Sequence, residues 1–571
     1  MLAQRLHAAL FPKSLPLSRQ QLPLWFVGSL LLGLGYGVWG MAAAWETQYA
    51  IQDDARQHLF WMHRFFNPEL FPHDFIADYF QSISPWGFTQ FYRLFAWVGV
   101  DPLWLSKFLP IGLGLVATVY GFGVSLRLLP IPCTAFLTSL LLNQVIWFHD
   151  DIASAVPRAF MVPILLAFLY YFLGQKFLFY AATMVLGGLF YPHTVLICGG
   201  IIGFHLLWQR YHHVYKPIAP KEWLCYLGFA IAILVLLPYG WLDSAYDPVI
   251  EATAARQLPD FGSEGRTRFF LNDPWLFWLS GNRSGLFPTF TPPMLGLGFL
   301  LPLLQQFPHR FRLVQSLTNC LAILPQIVLT ALTLFSISHA ILFHLHLPSR
   351  YTAYPLRLTL IFATAIVLTL LLEAGLRSLM RPTRLSWRLT KWGTALSLSG
   401  ILMFYPFYAP GFPNNGIERG KAEKLYEYLL QQPISVRVAS LSTLADQIPI
   451  FAQRSVLVSR EYAVPYHIGY ANPFRQRAEA LLRAQYTHDR HELQQFLQTY
   501  PVDFWLIDTD SFNPDRLSKQ WIRQYPVALR QARSHLQQGE PIVQQRSRHC
   551  TVLQEQDWQL LRADCLLQLE R

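Results

Sequence analysis

Residues 24–58 read LWFVGSLLLGLGYGVWGMAAAWETQYAIQDDARQH. The first part, 24–44, is an apolar run of membrane-spanning length with no charged residue. The chain then turns polar and sets two adjacent carboxylates, Asp53 and Asp54, in front of a short amphipathic stretch. An acidic pair there has a plain reading, namely solvation or the capping of a following helix, whose N-terminus favours negative charge. It also has a chemical reading: two carboxylates held at one membrane face can move a proton.

Outward from this stretch the apolar pattern repeats. Ten further runs, at approximately 103–126, 131–148, 159–173, 177–190, 193–208, 224–242, 290–307, 317–343, 358–376 and 392–409, predict about 11 transmembrane helices. Hydrophobic residues make up 53% of the 571 and charged residues 14%. The mean hydropathy is +0.27. A set of soluble domains carries about 25% charge, so that class is excluded. Aromatic residues at 15% suit a chain with many membrane–water interfaces. The net charge of +11 comes without any basic run built into a nucleic-acid motif, so no nucleic-acid partner is expected. The basic residues sit mostly in short segments between apolar runs, where they meet anionic lipid.

Those segments vote on sidedness. Arg5, Lys13 and Arg19 precede the first run, and Arg127, Lys176, Arg210 to Lys221, Arg310 with Arg312, and Arg377 to Lys391 fall on the same side. The positive-inside rule makes that side cytoplasmic, in the cell (inner) membrane. Ala42 to Ala44 resembles a signal-peptidase site, but the run before it is too long for a signal core, which favours an uncleaved anchor. An odd span count then places the tail outside.

The expected architecture is an α-helical polytopic membrane domain over 1–410 and an extracytoplasmic α/β domain over 411–571. Outer loops lie at 45–102, 149–158, 243–289 and 344–357. In the first, Ala55 to Phe66 and Phe88 to Trp97 are amphipathic and should lie flat on the membrane surface. In the tail, helix is predicted over Lys421 to Leu430 and, with a break, Arg475 to Phe496. Strand is predicted over Val436 to Ser440, Ser455 to Val458 and Val502 to Ile507. Cys133, Cys198, Cys225 and Cys320 lie in or beside apolar runs as small hydrophobes. Cys550 and Cys565 flank a possible hairpin and either pair in an oxidising compartment or stand as separate thiols.

A second acidic group, His149-Asp150-Asp151, falls in the very short second outer loop, just before Arg158. Carboxylates in so apolar a context are costly unless paired, hydrated or used. The architecture with Asp53, Asp54, Asp150 and Asp151 resembles the GT-C superfamily of membrane glycosyltransferases, which includes protein mannosyltransferases, oligosaccharyltransferases and lipid A aminoarabinose transferases. The local sequences around Asp54 and around Ser154 to Arg158 look like those of bacterial members.

The resemblance implies transfer of a sugar from a polyprenyl-phosphate donor to an acceptor glycan, lipid or protein at the outer face. The phosphate is a good leaving group, so one carboxylate must take the acceptor hydroxyl's proton, and single displacement inverts the anomeric centre. Asp54 is the first choice for that base, with Asp53 orienting the acceptor or sharing the role. Asp150, Asp151 and His149 would wall the acceptor or hold a divalent cation, Mg or Mn; Asp-Asp in place of Asp-x-Asp leaves the metal open.

Arg350, with Tyr351 beside it, is the candidate for the donor phosphate. Its alternative is an anchor snorkelling to the interface. Arg158 is a further phosphate candidate or a neutraliser of Asp151. A metal site drawn from His344, His346, His149 and Asp53 is a minority reading, since histidines at interfaces are commonly just amphipathic. Asp74 and Asp78 read as a solvated helical face. The segment Phe451 to His467, with Arg454, Arg460, Glu461 and Tyr466, reads as a strand-turn element or a lid. Competing functions are a transporter or flippase of lipid-linked substrate, a non-catalytic envelope assembly protein, and a polysaccharide polymerase or ligase of another fold.

Overall fold

The computed structural model describes residues 2–11, 21–212, 220–241, 244–380, 385–517 and 521–568. Lys13, Arg19, Asp243 and parts of the stretches 210–221 and 377–391, named above, lie outside the described residues. Every one of the eleven apolar runs is helical over at least part of its length. Five helices are long and apolar enough to cross a membrane: Gln21–Trp45, Pro102–Leu128, Glu222–Gly240, Asn319–Ala340 and Arg350–Leu379. Shorter apolar helices run over Pro132–Phe148, Pro157–Leu173, Phe177–Phe190 and Pro293–Gln305. This is a multi-pass helical membrane protein with an α/β region at its C-terminal end.

Close approach holds the first spans together. A Cβ at Gly40 would stand 2.2 Å from the Trp147 ring, so a glycine is needed where Gln21–Trp45 meets Pro132–Phe148. Nearby, Asn143 Nδ2 donates to Thr118 Oγ1 at 2.9 Å, a polar contact between spans. The run 290–307 departs from a regular helix. It is a 3₁₀ segment, Pro293–Leu300, followed by one short α segment, Leu301–Gln305. Pro292, Pro293 and Pro302 withhold backbone donors there.

The first outer loop departs from the surface-helix expectation. Ala55–Leu59 and the 3₁₀ turn Phe60–Phe65 do not lie on a membrane face: Ala55, Phe60, Trp61 and Met62 are all fully buried. The C-terminal region covers them, with Phe60 against Tyr462 at 5.1 Å between ring centroids. Trp86–Trp97 does keep an exposed apolar side, with Trp86, Leu94 and Trp97 outward. Asp74 is not part of a solvated face; it is buried and caps Phe75–Ser82 by accepting from Ala77 N at 2.8 Å.

Two sheets order the C-terminal end. The small one pairs β1 (Ala50–Gln52) with β2 (Ile417–Arg419), antiparallel, with Gln52 opposite Ile417. The larger one contains β3 (Arg437–Ser440), β4 (Ser455–Val456), β5 (Phe504–Asp508), β6 (Thr551–Glu555) and β7 (Trp558–Arg562), in the order β4-β3-β5-β7-β6. β3 is parallel to both β4 and β5. Its residues Val438 and Ala439 are fully buried, as a two-sided parallel strand requires. The hairpin β6–β7 is closed by a Cys550–Cys565 disulfide. The predicted helices appear as Glu423–Leu430, Ile468–Tyr486 and Arg490–Thr499.

Candidate active site

β1 ends at Gln52, so the acidic pair is delivered directly from a hydrogen-bonded ladder. Asp53 N donates to Gly416 O at 2.9 Å. Gly416 has φ +64°, and a Cβ there would lie 3.9 Å from the Cβ atoms of both Asp53 and Asp150. The segment just before β2 is also tied to the ends of two spans: Asn414 N donates to Trp147 O at 3.0 Å, and Asn415 Nδ2 donates to Gly40 O. Two acidic loops far apart in sequence thereby meet around one glycine.

They line a cavity of about 1830 Å³. Asp53, Asp54, His149, Asp150, Asp151, Arg158 and Arg350 all face it. Tyr351 does not. It is fully buried, and its hydroxyl donates to Leu345 O at 3.1 Å, so it supports the turn before the Arg350–Leu379 helix.

The acids are matched to arginines. Arg158 Nη2 lies 2.7 Å from Asp54 Oδ2 and 2.6 Å from Asp150 Oδ2. Arg357 Nη1 lies 2.5 Å from Asp151 Oδ2. Arg56 pairs with Asp53 and reaches Glu461 at 3.3 Å. Burial opposes charge on Asp54, but Arg158, Arg350, His58 and Arg266 together prevail and hold its carboxyl down at about 2. Asp53 goes the other way: burial and then Glu461 raise it, against the pull of Arg56. Burial and Arg357 press His149 down to about 4, so it is a neutral imidazole at pH 7.

Opposite the acids the cavity is cationic. Arg350 Nη1 donates to Tyr354 Oη at 3.1 Å, and Arg283 Nη1 donates to Tyr466 Oη at 3.0 Å. Their backbones adjoin, since Ser349 N donates to Arg283 O at 3.3 Å. Arg158, Arg266 and Arg357 are each engaged by a carboxylate, whereas Arg283 and Arg350 form no ion pair among the described residues. An anion placed in this cavity therefore finds guanidinium charge without a carboxylate partner at those two, and at Arg460, which also lines it. Beside them the wall turns apolar, with Trp86, Val185, Leu189, Val235 and Pro238 between the Phe177–Phe190 and Pro220–Trp241 helices.

A divalent cation needs several carboxylate or imidazole donors aimed at one point. Here a guanidinium nitrogen occupies the point between Asp54 and Asp150, and another neutralises Asp151. Among the described residues no three His, Cys, Asp or Glu side chains gather closely enough to hold a metal. His149, His344 and His346 share the cavity wall without forming such a group. This arrangement does not fit a resident metal ion.

Arg283, Arg266 and Arg357 carry no sequence signal: Arg266 and Arg283 stand in polar loop stretches and Arg357 near the start of an apolar run, none within a motif. Arg56 could have been found from its spacing of three residues after Asp53 on a short helix. The segment containing Arg460, Glu461, Tyr466 and His467 lines the cavity, and within it Glu461 is buried.

No family model matches the chain, and no curated protein matches it in sequence. Solved structures do. The crystal structure of the oligosaccharyltransferase of Archaeoglobus fulgidus in the apo form superposes with a TM-score of 0.52 at 12% identity, covering 88% of this chain and 72% of that one. The archaeal oligosaccharyltransferase AglB from Archaeoglobus fulgidus, in complex with an inhibitory peptide and a dolichol-phosphate, gives the same values. ArnT from Cupriavidus metallidurans aligns over 95% of this chain and 99% of its own at 12% identity, with a TM-score of 0.35. At such identities the likeness is one of fold: the chain shares its fold with these oligosaccharyltransferase structures.

Proposed function

We propose that the chain is an inverting glycosyltransferase that takes a sugar from a polyprenyl-phosphate donor and places it on an acceptor hydroxyl at the outer membrane face. The observation that carries this reading is the meeting of Asp53, Asp54 and Asp150 with the unpaired Arg350 and Arg283 in one cavity with an apolar flank. A phosphate suits the guanidinium side, a prenyl chain the apolar flank, and a hydroxyl the carboxylate side. The dolichol-phosphate bound by the archaeal oligosaccharyltransferase of like fold supports a lipid-linked donor.

In the reaction the acceptor oxygen attacks the anomeric carbon and the bond from that carbon to the phosphate oxygen breaks. The acceptor proton goes to a carboxylate, and the departing phosphate gathers charge against Arg350 and Arg283. This reading assigns the base to Asp53 in place of Asp54. A carboxylate held near 2 is a weak proton acceptor, while Asp53 binds protons more readily. Asp54, fixed by Arg158, then orients the acceptor. Asp150 and Asp151 complete that wall. The same reading places the N-terminus in the cytoplasm and residues from about 411 outside an inner membrane.

The test is transfer in proteoliposomes supplied with radiolabelled polyprenyl-phosphate sugars and detergent-extracted envelope acceptors. Asp53→Asn should cut the rate about 10²- to 10⁴-fold, the usual loss on removing a general base. Parental transfer by both Asp53→Asn and Asp54→Asn proteins would overturn the site. Labelled lipid moved across the bilayer without transfer would favour a flippase.

A further inference from the structure

The most buried charge network beside the cavity is not on the membrane helices. Glu461 belongs to the C-terminal α/β region, in the segment following β4, and is 3% exposed. It accepts from Gln57, from Arg56 Nη2 at 3.3 Å and from Arg266 Nη2 at 2.9 Å. Its own backbone N donates to Asp446 Oδ1 at 2.9 Å. Arg56 and Gln57 lie on the short helix directly after the acidic pair, and Arg56 also holds Asp53. Arg266 comes from the second long outer loop and faces the cavity. One carboxylate thus gathers three segments of the chain.

A residue kept only to glue the α/β region to the loops would be better replaced by apolar packing, because an ion taken out of water is costly to bury. The charge here sits one guanidinium away from Asp53. We propose that Glu461 is a positioning residue of the transfer site, holding Arg56 and Arg266 so that Asp53 is fixed in place by a fourth segment of the chain. This rests on the glycosyl-transfer reading above.

The groups facing Asp53 and Glu461 from every side are Arg56, Asp54 and His58 on the first outer loop, Arg158, Arg266, and Asp446 with Tyr462 in the α/β region. Glu461 acts on Asp53 more strongly than the adjacent carboxylate Asp54 does. Its loss must lower the proton affinity of Asp53, since a like charge nearby disfavours the ionised form. The loss of Arg266 must do the opposite by leaving Glu461 less neutralised.

The experiment compares pH profiles of kcat/KM for donor in the parent, Glu461→Gln and Arg266→Gln proteins. Glu461→Gln should move the acid limb down by about 1 pH unit, and Arg266→Gln should move it up. Opposite shifts cannot come from general loosening of the fold. Unmoved limbs in both proteins, whatever their rates, overturn the proposal. If Glu461→Gln proves unstable, Arg266→Gln carries the test alone. The same shifts can be read without turnover, by isotope-edited infrared titration against Asp53→Asn. A protein that transfers no sugar but shows them would sink the glycosyltransferase reading and leave the coupling standing.

Discussion

Asp54 and Asp150 come from different loops between apolar helices, and each places a carboxylate oxygen within 2.7 Å of the same nitrogen, Nη2 of Arg158. The two acids would repel one another without that guanidinium, which is almost fully buried behind them. Both carboxylates keep part of their surface open to the cavity, so they are fixed in place and still reachable. The bridge sets the width of the site.

Replacing Arg158 with Gln should therefore spread the acids and slow transfer by 10²-fold or more, as misplacement of reacting groups does. Stability should fall by ~2 kcal/mol, the scale for hydrogen bonds to charged groups. Parallel rate and melting measurements check this; a parental rate would show that the bridge does not shape the reacting geometry.

The unpaired Arg283 and Arg350 should behave differently from the acids. Arg283→Ala and Arg350→Ala should raise the apparent KM for the lipid-phosphate donor more than they lower kcat. Initial-rate kinetics over a range of donor concentrations separate the two. A pure kcat effect would move the phosphate elsewhere.

Gly416 is predicted to tolerate no side chain. Its φ of +64° disfavours L residues, and a Cβ there meets Gln52 Nε2 at 3.1 Å beside Asp53 and Asp150. Gly416→Ala should cost ~1 kcal/mol or more and lower activity by disturbing the acid pair. Activity at the parental level would mean that the loops meet less tightly than drawn.

Asp446 gives a pH signature of opposite sign to Asp54. Burial, and then Glu461, push Asp446 from the ordinary 3.8 up to about 6. The folded state thus holds its proton where the unfolded chain has lost it, and stability falls as pH rises from about 4 to about 6. Asp54, held near 2, contributes stability above about pH 4 that is lost as pH falls towards 2. Melting curves from pH 3 to 7 should show a shallower decline above pH 4 in Asp446→Asn than in the parent. Identical slopes would count against the buried acid pair.

The Cys550–Cys565 bridge closes a separation of 15 residues around the β6–β7 hairpin. In the chain-entropy account such a loop is worth ~3 kcal/mol. Cys550→Ser should lower the melting temperature of the α/β region and leave two-electron reduction without further effect. Quantitative thiol labelling of both positions in unreduced parent protein would exclude the bridge.

Much of this was legible in the residues. Long apolar runs have one low-energy arrangement in lipid, so the eleven helical stretches could be read from hydropathy alone. Asp53-Asp54 and His149-Asp150-Asp151 stood out because carboxylates at those places cost energy unless used. The hairpin at the tail followed from cysteines flanking alternating residues. The helix after Asp54 was misjudged, because its amphipathic face packs under the α/β region and not on lipid. Amphipathicity names an apolar face without naming what covers it.

The pairing of charges was decided only by tertiary structure. Nothing local to Arg158 says that it joins Asp54 to Asp150, or to Glu461 that it gathers Arg56, Gln57 and Arg266. Ion pairs between distant segments depend on a few ångströms of side-chain placement, and those are set by packing such as that of Gly40 on Trp147 and by the β1–β2 ladder. Sequence determined which residues carry charge and which of them stand between apolar runs; the fold decided which arginines are paired, because Coulomb energy acts on distance and not on order along the chain.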